Sequence, residues 1–367
     1  MPVRVRTNVM GAMAAVTIAA AAAFGAFVGG GAQAGAATTA QWRSWYSSSA
    51  SVFMTGVVAF GPKAIWSVGV PDNYSYRPFV VRWDGSSWRS VSIPGSAGYQ
   101  TAAIGGSSTG NVWVFAGNKV GQKKAFRFDG AHWHTIAVPA NSFGWASPVV
   151  LSKTNVWINS GPQCKTVANS NWGCTSHLYH WNGRSWQKTS IGDFVSGIAA
   201  APSGAVLAVG NAPRDMQGNG PVSVFRWSGT RWKAISMPHP KAAYAPQIAM
   251  SSTSDIWVSD VGAVPADDSV LHWNGSKWTT INSYGGLNST PKVAADGAGG
   301  VWLGDWDHYT VGKWVYVLTG LDAGFGAIQS TELTRVPGAP GTYVASAYIG
   351  QNQNSYHPAV IIYGPQP

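Results

Sequence analysis

Two clusters of titratable side chains stand out in a chain poor in them: Asp305-Trp306-Asp307-His308 and Asp267-Asp268. Two carboxylates serve a glycosidase when they flank a sugar at roughly 5 or 9 Å. Adjacent strand residues, however, point to opposite faces, so sequence adjacency does not make a catalytic pair, and no catalytic residue is assigned. Asp305 and Asp307 would suit a hard cation, but Ca2+ needs about six or more oxygens, and no Asp-x-Asp-x-Asp-Gly loop occurs. No metal or other cofactor is therefore expected, and no G-x-S-x-G elbow or H-E-x-x-H pattern is present. Recognition suits the residues better. Asp72, Tyr74, Tyr76, Trp172, Asp215, Asp267, Asp268, Asp305, Trp306, Asp307, His308 and Tyr356 lie in segments rich in Asn and Gly. There, flat rings can stack on sugars while carboxylates and amides accept hydroxyl hydrogen bonds. The competing explanation is that turns favour Asn, Asp and Gly for backbone reasons alone.

The elements that must carry these segments are legible as a repeat. One unit reads hydrophobic-x-Trp-[Asp/Asn/Ser]-Gly-x-x-Trp, as in VRWDGSSW, YHWNGRSW, FRWSGTRW and LHWNGSKW, with FRFDGAHW as a Phe variant. Its last Trp recurs at 88, 133, 186, 232 and 278, in steps of 45, 53, 46 and 46. A second unit, [Asp/Asn/Gly]-hydrophobic-Trp-hydrophobic, centres on Trp66, Trp113, Trp157, Leu207, Trp257, Trp302 and, more weakly, Val344. A run of small apolar residues precedes each copy. Four strands per unit follow, because Asp-Gly between aromatic residues signals a tight hairpin with positive φ at both turn positions. Repeats of 40 to 50 residues with four strands each specify a β-propeller. The expected fold is thus all-β, a seven-bladed β-propeller, with small residues at the crowded axis and Trp filling the widening gaps. Six or eight blades, or a stack of β-helical coils, are the alternatives. The sixth unit, GDWDHYTVGKWVYVLTG, is irregular and has a shortened turn.

On SSTSDIWVSD and LHWNGSKW, the chain resembles secreted bacterial propeller-like repeat proteins with tandem S-x-x-D-V-W-A-V-G and W-D-G-x-x-W motifs. The resemblance covers the chain after residue 40. It implies a propeller and export, and brings no catalytic residues, since the family has no settled activity. Kelch and Asp-box propellers look distantly similar, but an Asp box runs D-x-G-x-x-W where this turn runs D-G-x-x-W, which counts against a sialidase-type inference.

Arg4 and Arg6 precede an apolar run ending at Ala32-Gln33-Ala34, so residues 1–34 read as a signal peptide, 35–40 as a flexible segment and 41–367 as one domain. A retained membrane anchor is the other reading of that run. Without the leader, 22 basic residues face 14 acids, a charge of +8. The excess reflects scarce acids (Glu332 is the only Glu) and no nucleic-acid motif accompanies it. Half of the acids fall between second and third strands, while Arg82, Arg89, Arg127, Arg184, Lys188, Arg226, Arg231, Lys233 and Lys277 fall on third and fourth strands. An acidic, aromatic loop end and a basic rim are expected, the rim protecting edges from aggregation. Cys164 and Cys174 are the only cysteines; in an exported chain they read as a disulfide, with a zinc pair near His177 as the alternative.

The expected product is an exported, monomeric binding or adhesion module for glycan or cell-wall polymer. A carbohydrate-active hydrolase or lyase using loop aspartates is the alternative, and a protein-interaction platform a further one. The seventh unit supplies three strands, through PAVIIYGPQP, and lacks a fourth. The fragment QWRSWYS, residues 41–47, is expected to be that strand, closing the ring.

Overall fold

The computed structural model describes residues 42–71, 76–142, 147–161, 163–167, 171–211, 220–238, 242–243, 246–260, 269–282, 292–304, 307–317, 328–352 and 355–365. Their short runs of β-branched and aromatic residues form strands. Seven four-stranded antiparallel blades make a β-propeller. Blades 1 to 6 span residues 52–90, 99–137, 149–190, 194–235, 248–282 and 293–316, each running from the inner strand outward. Blade 7 takes three strands from 328–363 and its outermost from Trp42–Ser47.

The segment pairs with the strand expected to receive it. Trp42 pairs with Tyr363 and Ser47 with Ala359, and the Arg43 Nη2 donates to the Gly364 carbonyl at 2.6 Å. Trp42 is fully buried and lies edge-on to Trp302, with ring centroids 5.6 Å apart. An indole removes roughly 150–250 Å² from water when buried, so this residue alone contributes a few kcal/mol.

The hairpins between third and fourth strands differ from the expectation. Trp83 pairs with Trp88, Trp181 with Trp186, Trp227 with Trp232 and Trp273 with Trp278, so four residues lie in each loop. Only the glycine has positive φ, as at Gly85 (φ 97). The first loop residue accepts with its side chain: Asp84 Oδ1 takes the amides of Ser86 and Ser87, both at 2.9 Å. Asn182 and Asn274 do the same. This Asx bonding explains why Asp, Asn or Ser stands there. The two-residue turn occurs instead in blade 6, at Val311-Gly312, where φ is 51 and 77.

Each hairpin brings two aromatic rings together, at 5.4 Å for Trp181 and Trp186. Such a pair receives the second-strand residue of the preceding blade. Trp66 packs on Phe128 and Trp133, Trp113 on Trp181 and Trp186, and Trp157 on Trp227 and Trp232. Leu207 meets Trp273 and Trp278, Trp257 meets Tyr309 and Trp314, Trp302 meets Tyr363 and Trp42, and Val344 meets Trp83 and Trp88. The sequence of contacts returns to its start, and this aromatic seam is the core of the ring.

Candidate functional site

Second-to-third connections and blade-to-blade connections share one end of the propeller, here the loop end. First-to-second turns and the Asx hairpins share the other, the turn end. Of the residues expected to recognise ligand, Asp72, Tyr74, Asp215, Asp267, Asp268, Asp305 and Trp306 lie outside the described residues. Trp172 is on the strand Asn171–Thr175, which pairs with Gln163–Val167 as a hairpin inserted in blade 3. The Cys164–Cys174 disulfide crosses that hairpin, the two cysteines facing each other in register. Tyr356 lies on the third strand of blade 7, opposite Gly350, and Asp307 opens the third strand of blade 6, opposite Leu303.

Tyr76 lies just before the third strand of blade 1. Its backbone is left-handed (φ 43), which is costly for an aromatic residue, and its carbonyl accepts the Gly98 amide at 2.7 Å. The Lys119 ammonium stands 4.6 Å from its ring centroid, and the Lys124 ammonium is equally close to Tyr99. Both lysines flank the turn after Asn118, whose Oδ1 accepts the Val120 and Gln122 amides at 3.2 and 2.8 Å. A shallow cleft of about 500 Å³ opens beside it, walled by Tyr99, Gln122, Lys123, Lys124 and Thr135. Here the loop end is basic, contrary to the acidic expectation. Two of the presumed rim cations also turn inward: Arg82 lies 5.2 Å from the Trp66 ring, and Arg127 is half-buried opposite Trp113.

His308 does not face the loop end. It stacks on Trp302 at 4.1 Å and bonds Asp296 Oδ2 at 3.0 Å, in the turn at the other end of the blade. Blades 3 and 5 repeat this rung. His180 stacks on Trp157 at 4.2 Å, and both rings share Asn155 Oδ1. His272 stacks on Trp257 at 3.8 Å, and both share Asp255 Oδ1. Residues i and i+2 of a strand share a face, which is why Asp-x-Trp and Asn-x-Trp recur: the carboxylate or amide satisfies the buried indole N–H. Burial opposes ionisation of Asp296, but bonds from His308 and from the Ala298 and Gly300 amides outweigh it and hold the carboxyl below the usual aspartate range.

The axis holds a feature that sequence reading missed. Neighbouring inner strands touch around the ring, and on the turn side they enclose a cavity of about 540 Å³. Its walls are Val149, Val150, Ala199, Ala200, Ala249, Met250, Val293 to Ala295 and Leu333, with Arg335 the one charged lining residue. One residue deeper than Pro148 and Leu333, the Ser147 hydroxyl donates to Glu332 Oε2 at 2.8 Å. Blades 3 and 7 stand across the axis from each other, so this bond spans the channel. The only signal in the sequence was that the single Glu interrupts a small-residue strand. Among the described residues, no group of three or more His, Cys, Asp or Glu could hold a metal ion, and no helix is long and apolar enough to cross a membrane.

No family model and no curated protein matches the chain. Among solved structures it is similar to YCF48 bound to a D1 peptide, at 13% identity over 88% of this chain and 96% of that one, TM-score 0.54. YCF48 from Cyanidioschyzon merolae matches at 13% identity over 88% and 98%, TM-score 0.51. A puromycin-hydrolyzing peptidase of Mycobacterium tuberculosis matches at 13% identity over 86% of this chain and 51% of its own, TM-score 0.52. At these identities the likeness is one of fold.

Proposed function

We propose that this chain is an exported binding module that holds glycan or cell-wall polymer at its loop end. The carrying observation is the basic patch at the loop end of blades 1 and 2: Tyr76, with the Lys119 ammonium 4.6 Å from its ring, stands next to a cleft of blade 2 lined by Gln122, Lys123 and Lys124, the last held 4.6 Å from the buried Tyr99 ring. The partly exposed Tyr76 ring provides a sugar platform, the Gln122 amide can pair with hydroxyls, and lysines held over tyrosine rings present a fixed positive charge. This combination suits a glycan bearing carboxylate or phosphodiester groups better than a neutral one. The aromatic and acidic residues of the other second-to-third connections, together with the disulfide-crossed hairpin of blade 3, would widen the contact.

The test is retention on isolated cell walls and on a glycan array, with the double variant Tyr76→Ala/Lys119→Ala. Retention that weakens sharply with salt and falls in the variant supports the reading; equal retention by the variant sinks it. Polysaccharide turnover that disappears in Asp307→Ala would favour the hydrolase instead.

A further inference from the structure

We propose that the axial cavity at the turn end is a second binding site, one for a short linear aliphatic carboxylate. Cross-strand register makes the argument explicit. Val58, Gly105, Val149, Ala199, Ala249, Ala294 and Thr334 each lie opposite the second-strand position occupied by Trp66, Trp113, Trp157, Leu207, Trp257, Trp302 and Val344, so they form one layer around the axis. One residue deeper, the layer is apolar and includes Pro148 and Leu333, beyond which the Ser147–Glu332 bond spans the channel. One residue toward the mouth, six blades supply Ala, Gly, Val or Met and the seventh supplies Arg335.

The cavity is therefore an apolar-walled recess, spanned at its inner end by one hydrogen bond and with Arg335 the one charged group at its opening. Arg335 forms no ion pair with another described residue. The nearby Asp296 carboxylate is already taken by His308 and two backbone amides. The Arg335 guanidinium also occupies the space a β-carbon at Gly297 would fill, so glycine at that turn leaves it room. Sockets of this volume with apolar walls and few polar groups are the ordinary form of a small-molecule site. A carboxylate on Arg335 with its chain inward satisfies both chemistries, the guanidinium offering a paired-donor bond.

Calorimetric titration of the protein with hexanoate, octanoate and decanoate tests this. Affinity should rise about fourfold per added methylene until the chain reaches Pro148 and Leu333, then level off. Arg335 is exposed, so Arg335→Gln should fold normally; it should lose roughly tenfold or more in carboxylate affinity while leaving octanol binding unchanged. Ala200→Phe, which places a ring at the mouth layer, should abolish both. No saturable carboxylate binding, or equal binding in Arg335→Gln, overturns the proposal. So does binding that survives Ala200→Phe in a variant with an unchanged melting curve. Because this cavity and the loop-end cleft are at opposite ends, polymer retention and carboxylate affinity can fail independently.

Discussion

Blades 3 and 4 fill the same place in the seam in opposite ways. In blade 3, Trp157 stacks on His180, gives its N–H to Asn155, and packs on Trp227 and Trp232 of the next blade. In blade 4 the three corresponding positions are Ala205, Leu207 and Arg226, and the gap between that blade and blade 5 retains a hollow of about 200 Å³ lined by all three. All three changed together. A buried indole without an acceptor leaves an unsatisfied donor, costing about 1–3 kcal/mol, so the acceptor has a purpose only while the Trp is there. The rung is also absent from blade 7, where Val344 faces Ile362, and blade 1 keeps Trp66 with Ala64 before it and its N–H without an acceptor, so whether acceptor and indole act as one unit in blades 3 and 4 is a matter for experiment.

The largest expected effect comes from removing an aromatic group where no covalent hairpin holds the strand. Trp42→Ala should destabilise by about 3–5 kcal/mol, and deletion of residues 38–48 should lower the melting temperature further still; a harmless deletion would refute the closure. Copying blade 4 into blade 3 comes next. Trp157→Leu should cost around 3 kcal/mol in a denaturant titration, since large-to-small changes in a packed seam leave a cavity. Asn155→Ala should cost about 1–3 kcal/mol, because both the indole and His180 lose their acceptor. Asp255→Asn in blade 5 should be nearly neutral, as blade 3 already works with an amide.

The converse experiment is a test of coupling. Leu207→Trp alone should gain little or lose slightly, because its N–H meets Ala205. Ala205→Asn/Leu207→Trp should fill the hollow and stabilise, with an interaction term of about 0.5–3 kcal/mol between the two changes. Additive behaviour would show that the rung is not a unit.

Much of this was written in the chain. Period, strand order, blade count and the clasp at Trp42 followed from where Trp and Gly recur, because backbone and packing requirements repeat identically in each blade. The hairpin geometry was not: Asp-Gly alone cannot distinguish a two-residue turn from a four-residue Asx loop, and the register of Trp83 with Trp88 decides it. His308 was misplaced because a loop-like sequence hid its match to His180 and His272. The indole acceptor usually sits two residues before the Trp, but blade 6 has Gly300 there and takes Asp296 as the histidine's partner instead. A β-carbon at Gly300 would overlap that carboxylate. The axial socket was illegible for a different reason. It is made by residues about 45 positions apart that are ordinary one by one, and it exists only once seven inner strands share an axis.

The smallest effect is visible only in acid, and it separates the charged rung of blade 6 from the neutral rung of blade 3. Asp296 titrates below its ordinary value of 3.8 when folded. A depressed carboxylate contributes stability that is fully present above the unfolded value and is lost as pH falls through the folded one. Unfolding free energy should therefore drop with pH below about 3.8, and part of that slope belongs to Asp296. Asp296→Asn should fold, since Asn155 shows that an amide can serve a stacked His and Trp, and its stability should fall less steeply in the same window. The exposed turn carboxylates Asp84 and Asp129 are also held low by their Asx bonds, so the slope should shrink without vanishing. Denaturant titrations of both proteins at pH values above and below the aspartate range would measure it. An unchanged slope would mean that the blade 6 rung relies on its stacking and its neutral hydrogen bonds, as blade 3 does, and not on charge.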